Sequence, residues 1–218
     1  MPTLIRWREA RAVLEEDPFT AVGDADPMPP GDVIISVKRF QAEGEQLLGE
    51  GRAVGVRVEA EESVEALAYD LPRLSLVALA FPKFKDGRAF SAARILRERL
   101  GFGGEVRAVG DVLLEQAKFM IRCGFDAFEP ADGTGPAEWT AAGRRFRHVY
   151  QRASDGREPA FVERARAIVL YTGDHAEPAR GRRRKTPEEA REGALAHGFG
   201  PAHRFPMALG GADAQGPI

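Results

Sequence analysis

Apolar and polar positions follow strand and helix patterns in turn, starting after the helix-breaking stretch PMPPGD. Val33 to Val37 is a β-branched run with one serine, which is typical of a buried strand, and Lys38 to Leu48 has helical composition. Val54 to Val58 predicts a second strand, and Ser63 is a suitable N-cap for the helix that follows it. The pattern therefore predicts consecutive strand-helix units.

Two further units have clearer signals. Ser75 to Phe81 is apolar on both faces, as expected of a parallel strand covered by helices, and Phe90 to Leu100 carries an apolar stripe at helical spacing. Glu105 to Val109 predicts the next strand, with Asp111 as N-cap of its helix, and Phe125 to Phe128 begins another strand. Strands that alternate with helices in this way favour a parallel sheet with right-handed crossovers.

The predicted fold is therefore α/β, with consecutive strand-helix units that form a parallel sheet. A complete eight-unit barrel takes about 250 residues. The chain has 218 residues, so a partial TIM-barrel-like sheet or an open sheet fits better. We divide the chain into an irregular N-terminal segment (1–29), the strand-helix domain (30–152) and an irregular, partly disordered C-terminal extension (153–218). From residue 151 onward the chain holds 11 Lys and Arg against 9 Asp and Glu, so we expect a basic extension.

Composition narrows the class of protein. Hydrophobic residues make up 44% and charged residues 29%, as in ordinary globular proteins. No apolar run approaches the roughly 20 residues that cross a membrane, and the first residues lack the pattern of a secretory signal. The formal net charge of −2 gives no sign of nucleic-acid binding. We expect a cytoplasmic protein that binds neither a membrane nor a nucleic acid.

Candidate chemistry lies in the loops after the strands, where parallel α/β folds bind their ligands. The loop after the third strand is rich in cations, and Arg107 lies within the fourth strand. These side chains suit a small anion. The anion-binding candidates are Lys83, Lys85, Arg88, Ser91 and Arg107. The acid or base candidates are Asp86, Asp111 and Glu129.

Structural roles for the same residues stay open. Asp111 before an apolar helix is commonly only an N-cap, and Asp86 with Gly87 forms an ordinary turn pair. The sequence shows no flavin, haem, nicotinamide or metal signature, so the cofactor is unknown and no metal ligands are predicted. Cys123, the single cysteine, is expected to pack in a helix rather than react. Catalytic residues are not identified by the sequence.

The centre of the chain resembles the bacterial family catalogued as domain of unknown function 934 (DUF934). The matching elements occur in order over some fifty residues: Asp86-Gly87-Arg88, Phe90-Ser91, Leu96-Arg97, Gly104 to Asp111, Gln116, and Arg122 to Asp126. Glu115 stands where the family pattern commonly has an aspartate, which keeps the charge.

Members of this family are often labelled as oxidoreductases involved in sulfite reduction. The resemblance therefore implies an accessory protein of assimilatory sulfite reduction that binds a small sulfur oxyanion, with sulfite reductase as partner. Whether the chain is itself an oxidoreductase, and so an enzyme, stays open. The alternatives are a non-catalytic adaptor that docks on sulfite reductase, and a partial-barrel lyase or isomerase, because fold does not dictate function.

Overall fold

One mixed sheet of eight strands organises the structure, a computed structural model that describes residues 4–172. Its strands lie in the order β2-β1-β8-β7-β6-β5-β4-β3. All neighbours from β3 to β8 are parallel, whereas β1 is antiparallel to both β2 and β8. The strands are β1 Ile5–Arg8, β2 Arg11–Leu14, β3 Phe19–Ala21, β4 Asp32–Ser36, β5 Val54–Val58, β6 Leu76–Phe81, β7 Glu105–Gly110 and β8 Ala127–Phe128.

The prediction of an α/β fold is confirmed, but the prediction of a purely parallel sheet is wrong. The antiparallel part is an N-terminal hairpin, whose two turn residues, Glu9 and Ala10, both have positive φ (48° and 60°). A two-residue turn of this kind reverses the chain and pairs β1 with β2. Glycine and asparagine are the usual residues there, so a turn of glutamate and alanine does not signal a hairpin in the sequence.

The helices differ from strict strand-helix units. Helix α1 joins β4 to β5, α2 joins β6 to β7, and α3 joins β7 to β8. Between β5 and β6, two 3₁₀ turns (Val64–Leu67 and Leu71–Arg73) replace the predicted helix, and Ser63 caps the first of them. Pro72 lies in the first positions of the second turn, where the missing backbone donor is tolerated. The helices are α1 Val37–Gly49, α2 Arg88–Arg94, α3 Ala117–Cys123, α4 Pro136–Arg144 and α5 Ala160–Thr172.

The main core lies between one face of the sheet and the helices. Alternate strand residues such as Val33, Val56, Leu79 and Ala108 point to this face and are almost fully buried. The helices contribute Ala93, Leu96, Met120 and Trp139 to the same cluster. None of the helices within residues 4–172 is long and apolar enough to cross a membrane.

The opposite face of the sheet is the inner face of a half-barrel. Residues 15–18 link β2 at one edge of the sheet to β3 at the other edge. Eight flat strands would span about 34 Å, whereas the five Cα steps from Leu14 to Phe19 reach at most about 19 Å. The sheet must therefore curl around this link. Phe19 packs on a small apolar cluster of Ile34, Leu76, Ala78, Ala80 and Val109.

The predicted segment boundaries differ from the structure at both ends. Residues 1–29, expected to be irregular, supply three strands, because their short apolar runs pair with a sheet formed by distant parts of the chain. Past residue 152 the chain continues to pack, since the amide of Ser154 donates to the carbonyl of Arg122 (3.1 Å). Residues 173–218, most of the predicted basic extension, lie outside the described residues.

Candidate functional site

Asp111 holds the cationic loop between β6 and α2 in place. Its Oδ2 accepts a hydrogen bond from the amide of Phe84 at 2.6 Å. The Nε2 of Gln116, a buried side chain, donates to the carbonyl of Phe84 at 3.0 Å. Asp111 is not the N-cap of the next helix, because a 3₁₀ turn begins only at Leu114 and α3 begins at Ala117. It ties the end of β7 to the loop that follows β6.

Arg88 lies at the end of this loop and contacts two carboxylates. Its Nη2 donates to Oδ2 of Asp86 at 2.6 Å and to Oε1 of Glu61 at 2.9 Å, and its Nε donates to Asp86 Oδ1 at 3.0 Å. Hydrogen bonds from the Arg88 side chain and amide lower the pKa of Asp86 to about 2. Asp86 therefore stays ionised near neutral pH, which disqualifies it as a general acid there.

Three more predicted residues surround Arg88 in sequence, and all are exposed: Lys83, Lys85 and Ser91. In the described part of the chain, neither lysine lies within 4.0 Å of a carboxylate. Ser91 and Arg88 line a pocket of about 250 Å³ at the ends of β5 and β6. Glu59, Glu62 and Glu65 line the same pocket, so its carboxylates outnumber its one arginine.

Arg107 lies on the inner face of the half-barrel, away from this loop. Its guanidinium is fully buried, and Asp17 binds it with both carboxylate oxygens (2.5 and 2.9 Å). Oε1 of Glu105 accepts from its Nε at 2.9 Å, and Oε1 of Glu129 accepts from its Nη1 at 3.2 Å. Three carboxylates already bind the guanidinium, and it is not exposed to solvent. It therefore has no room for a further anion. We therefore assign Arg107 to the packing of the inner face.

A second arginine extends this inner-face network. Nε of Arg6 in β1 donates to Oε2 of Glu105 at 2.7 Å, and its Nη1 donates to Oε2 of Glu15 at 2.9 Å. Glu105 thus bridges two arginines. Paired charges with filled hydrogen-bonding capacity are the form in which buried ions are tolerated.

Glu129, directly after β8, differs electrostatically from Asp86. Burial raises the pKa of its carboxyl, and the neighbouring Arg107 only partly opposes this. Its side chain is 24% exposed, so solvent can reach it. A carboxyl that holds its proton closer to neutral pH is suited to general acid chemistry.

A comparison with protein-family models matches residues 55–161, just under half of the chain, to a family described as "Bacterial protein of unknown function (DUF934)". These residues belong to the DUF934 family. The resemblance that the sequence suggested is thereby confirmed. No curated protein matches the chain.

The DUF934 region contains all the predicted site residues, but the structure separates them into two groups. The loop group lies at and around the β6–α2 connection and comprises Lys83, Lys85, Asp86, Arg88, Ser91 and Asp111. The inner-face group comprises Arg107 and Glu129. Asp17, which binds Arg107, precedes the DUF934 region in the sequence, and so does Arg6.

Several partners of the predicted site residues were missed by sequence reasoning. Glu61 and Asp17 belong to loops without a motif, and they lie 27 and 90 residues from their arginine partners. Glu105 offered a usable signal, because residues two apart in a strand point to the same face, as Glu105 and Arg107 do.

Two further potentially reactive side chains of the DUF934 region, Cys123 and His148, belong to neither group. Cys123 is buried, and burial raises the pKa of its thiol to about 11, so it stays protonated near neutral pH. Nδ1 of His148 lies 2.6 Å from Oε2 of Glu163, outside both groups. Within residues 4–172, no three His, Cys, Asp or Glu side chains are grouped so as to hold a metal ion.

Proposed function

We propose that this protein is an accessory protein of assimilatory sulfite reduction, and that the loop between β6 and α2 binds a small sulfur oxyanion. The pathway comes from the resemblance to proteins labelled in that way, because the family description itself names no activity. In this proposal the loop binds sulfite or sulfate, and sulfite reductase supplies the electrons.

The arrangement of Arg88 carries the proposal. Asp86 orients its guanidinium through Nε and Nη2, while Nη1 makes no hydrogen bond within the described residues. The Arg88 side chain is 52% exposed and that of Glu61 is 71% exposed. Exposed ion pairs contribute little net free energy, so an oxyanion can replace Glu61 at small cost. The guanidinium fork then offers two parallel donors to the oxyanion.

Lys83 and Lys85 add charge to the same loop. Both are exposed cations on flexible stems, close in sequence to Arg88. A divalent oxyanion needs more positive charge than Arg88 alone supplies, because Asp86 remains ionised beside it. The two lysines supply that excess, and Ser91 adds a hydroxyl donor.

Replacement of Arg88 by alanine should weaken sulfite binding by about tenfold or more, the usual loss of one charge-assisted hydrogen bond. Calorimetric titration of sulfite into the full chain measures this change. Arg94→Ala is a matched control, because Arg94 is also on α2, is 51% exposed and pairs with a glutamate. The control should bind as wild type does, and both melting temperatures should barely move. Equal affinities in Arg88→Ala and Arg94→Ala, or no saturable binding by wild type, would refute the anion site.

An adaptor that docks on sulfite reductase is the second candidate, and exposed aromatic residues favour it. Phe84 in the same loop is 43% exposed and Phe119 on α3 is 57% exposed. Phe119 packs edge-on against Phe90, with ring centroids 4.7 Å apart. Aromatic side chains are enriched at protein interfaces. Co-purification with the reductase in the absence of sulfite, kept by Arg88→Ala and lost by Phe119→Ser, would favour the adaptor.

A further inference from the structure

A second cationic site lies in a different part of the molecule, between the β1–β2 hairpin, α3, α4 and residues 144–157. It is a pocket of about 490 Å³, which we call the basic pocket. It contains none of the predicted site residues. The charged side chains that line it are Lys118, Arg122, Arg144, Arg147, Arg157 and Asp155.

The charges of the basic pocket do not balance. Five cations face one carboxylate, and that carboxylate is already paired, because Nη1 of Arg122 lies 3.0 Å from Oδ2 of Asp155. Among residues 4–166, no carboxylate lies within 4.0 Å of the other four cations. The pocket therefore holds an excess of four positive charges.

Neutral backbone groups position these cations. Nζ of Lys118 donates to the carbonyl of Phe146 at 2.9 Å, and Nη2 of Arg157 donates to the same carbonyl at 3.3 Å. Nε of Arg144 donates to the carbonyl of Ala10 at 2.7 Å. Such bonds fix the cations without removing their charge, so the cations repel one another.

This repulsion affects the pKa of Lys118. Burial lowers the pKa of its ammonium group, and the nearby Arg157 and Arg122 lower it further. Its Nζ lies 4.6 Å from the centroid of the Phe146 ring, which attracts cations but carries no net charge. A bound anion would relieve this repulsion directly.

We propose that the basic pocket binds a multiply charged anion of the phosphate class, in a site separate from the oxyanion loop. Arginines bind phosphate oxygens through paired donors, and an excess of four charges suits a ligand with several negative charges. The pocket volume is in the range of sites for metabolites. A single sulfite or orthophosphate ion would fill only a small part of it.

Calorimetric titration of inorganic pyrophosphate into the full chain at low ionic strength tests this proposal. We expect saturable binding that weakens as salt is added. Lys118→Ala and Arg147→Ala should each weaken it by about tenfold or more, because each removes a charged donor. Arg147 is exposed and makes no side-chain hydrogen bond within the described residues, so its variant should fold normally.

Two controls separate this site from the rest of the molecule. Lys38→Ala removes an exposed lysine on α1, outside the basic pocket, and Arg88→Ala removes the central cation of the oxyanion loop. Both should bind pyrophosphate as wild type does. The proposal is overturned if wild type shows no saturable binding, if Lys118→Ala and Arg147→Ala bind as tightly as Lys38→Ala, or if Arg88→Ala abolishes binding. Sulfite titrations are independent of these outcomes.

Discussion

Replacement of Arg107 by methionine should lower the free energy of unfolding by about 3–5 kcal/mol at pH 7, the usual cost of breaking a buried ion pair from one side. Methionine retains much of the volume but leaves Asp17, Glu105 and Glu129 without their common cation. These carboxylates would then repel one another on the inner face of the half-barrel. Urea denaturation of wild type and variant at pH 7 measures the difference.

The loss should shrink as the pH falls. Arg107 lowers the pKa of Glu129, so its removal raises the folded-state pKa of Glu129 further above the unfolded value. A carboxyl with a raised folded pKa destabilises the fold fully above that pKa, and the cost disappears as the pH falls toward the unfolded pKa. Denaturation at pH 5 should therefore show a smaller difference than at pH 7. A loss that is small at pH 7, or that grows as the pH falls, would show that the network does not hold the fold.

Replacement of Gly110 by alanine should also lower the free energy of unfolding, by about 2–4 kcal/mol, because backbone strain and a steric clash both act there. Gly110 has φ +95°, which L residues rarely adopt, and an added Cβ would lie 2.5 Å from the backbone oxygen of Phe81. Backbone cannot move as freely as a side chain, so the ends of β6 and β7 must shift apart. Asp111, which anchors the cationic loop, is the next residue and would shift as well.

Gly103→Ala is the matched control for this variant. An added Cβ at Gly103 meets no atom within 4 Å, and its φ is not in the left-handed region. Alanine there should leave stability unchanged or raise it slightly, because it restricts the unfolded chain. Thermal melts of the two variants compare them directly. Equal melting temperatures would contradict the packing described for the end of β7.

The sequence predicted the central strands well because their burial leaves a strong pattern. β5 occupies Val54–Val58 as predicted, and β6 lies within the predicted Ser75 to Phe81. The hairpin was missed because its turn residues, Glu9 and Ala10, adopt positive φ although neither is a glycine or asparagine. The choice between a partial barrel and an open sheet stayed open, because the curl depends on which strands residues 15–18 connect, and local periodicity does not reveal the order of strands within a sheet.

The sequence also indicated part of the geometry of the candidate site. The rule that loops after parallel strands lie together correctly brought Asp111 against the cationic loop. Arg107 was grouped with that edge, but strand alternation turns it to the inner face, where a carboxylate 90 residues away binds it. The basic pocket was not predicted at all, since its cations come from α3, α4 and an irregular segment.

Growth of a deletion mutant on defined sulfur sources tests the central claim most directly. A bacterium that lacks this gene should grow poorly with sulfate or sulfite as sole sulfur source and normally with sulfide, because sulfide lies beyond the proposed step. Wild-type and Arg94→Ala genes should restore growth, whereas Arg88→Ala should not. Equal growth of the mutant on all three sources, or a defect that persists on sulfide, would contradict a role in sulfite reduction.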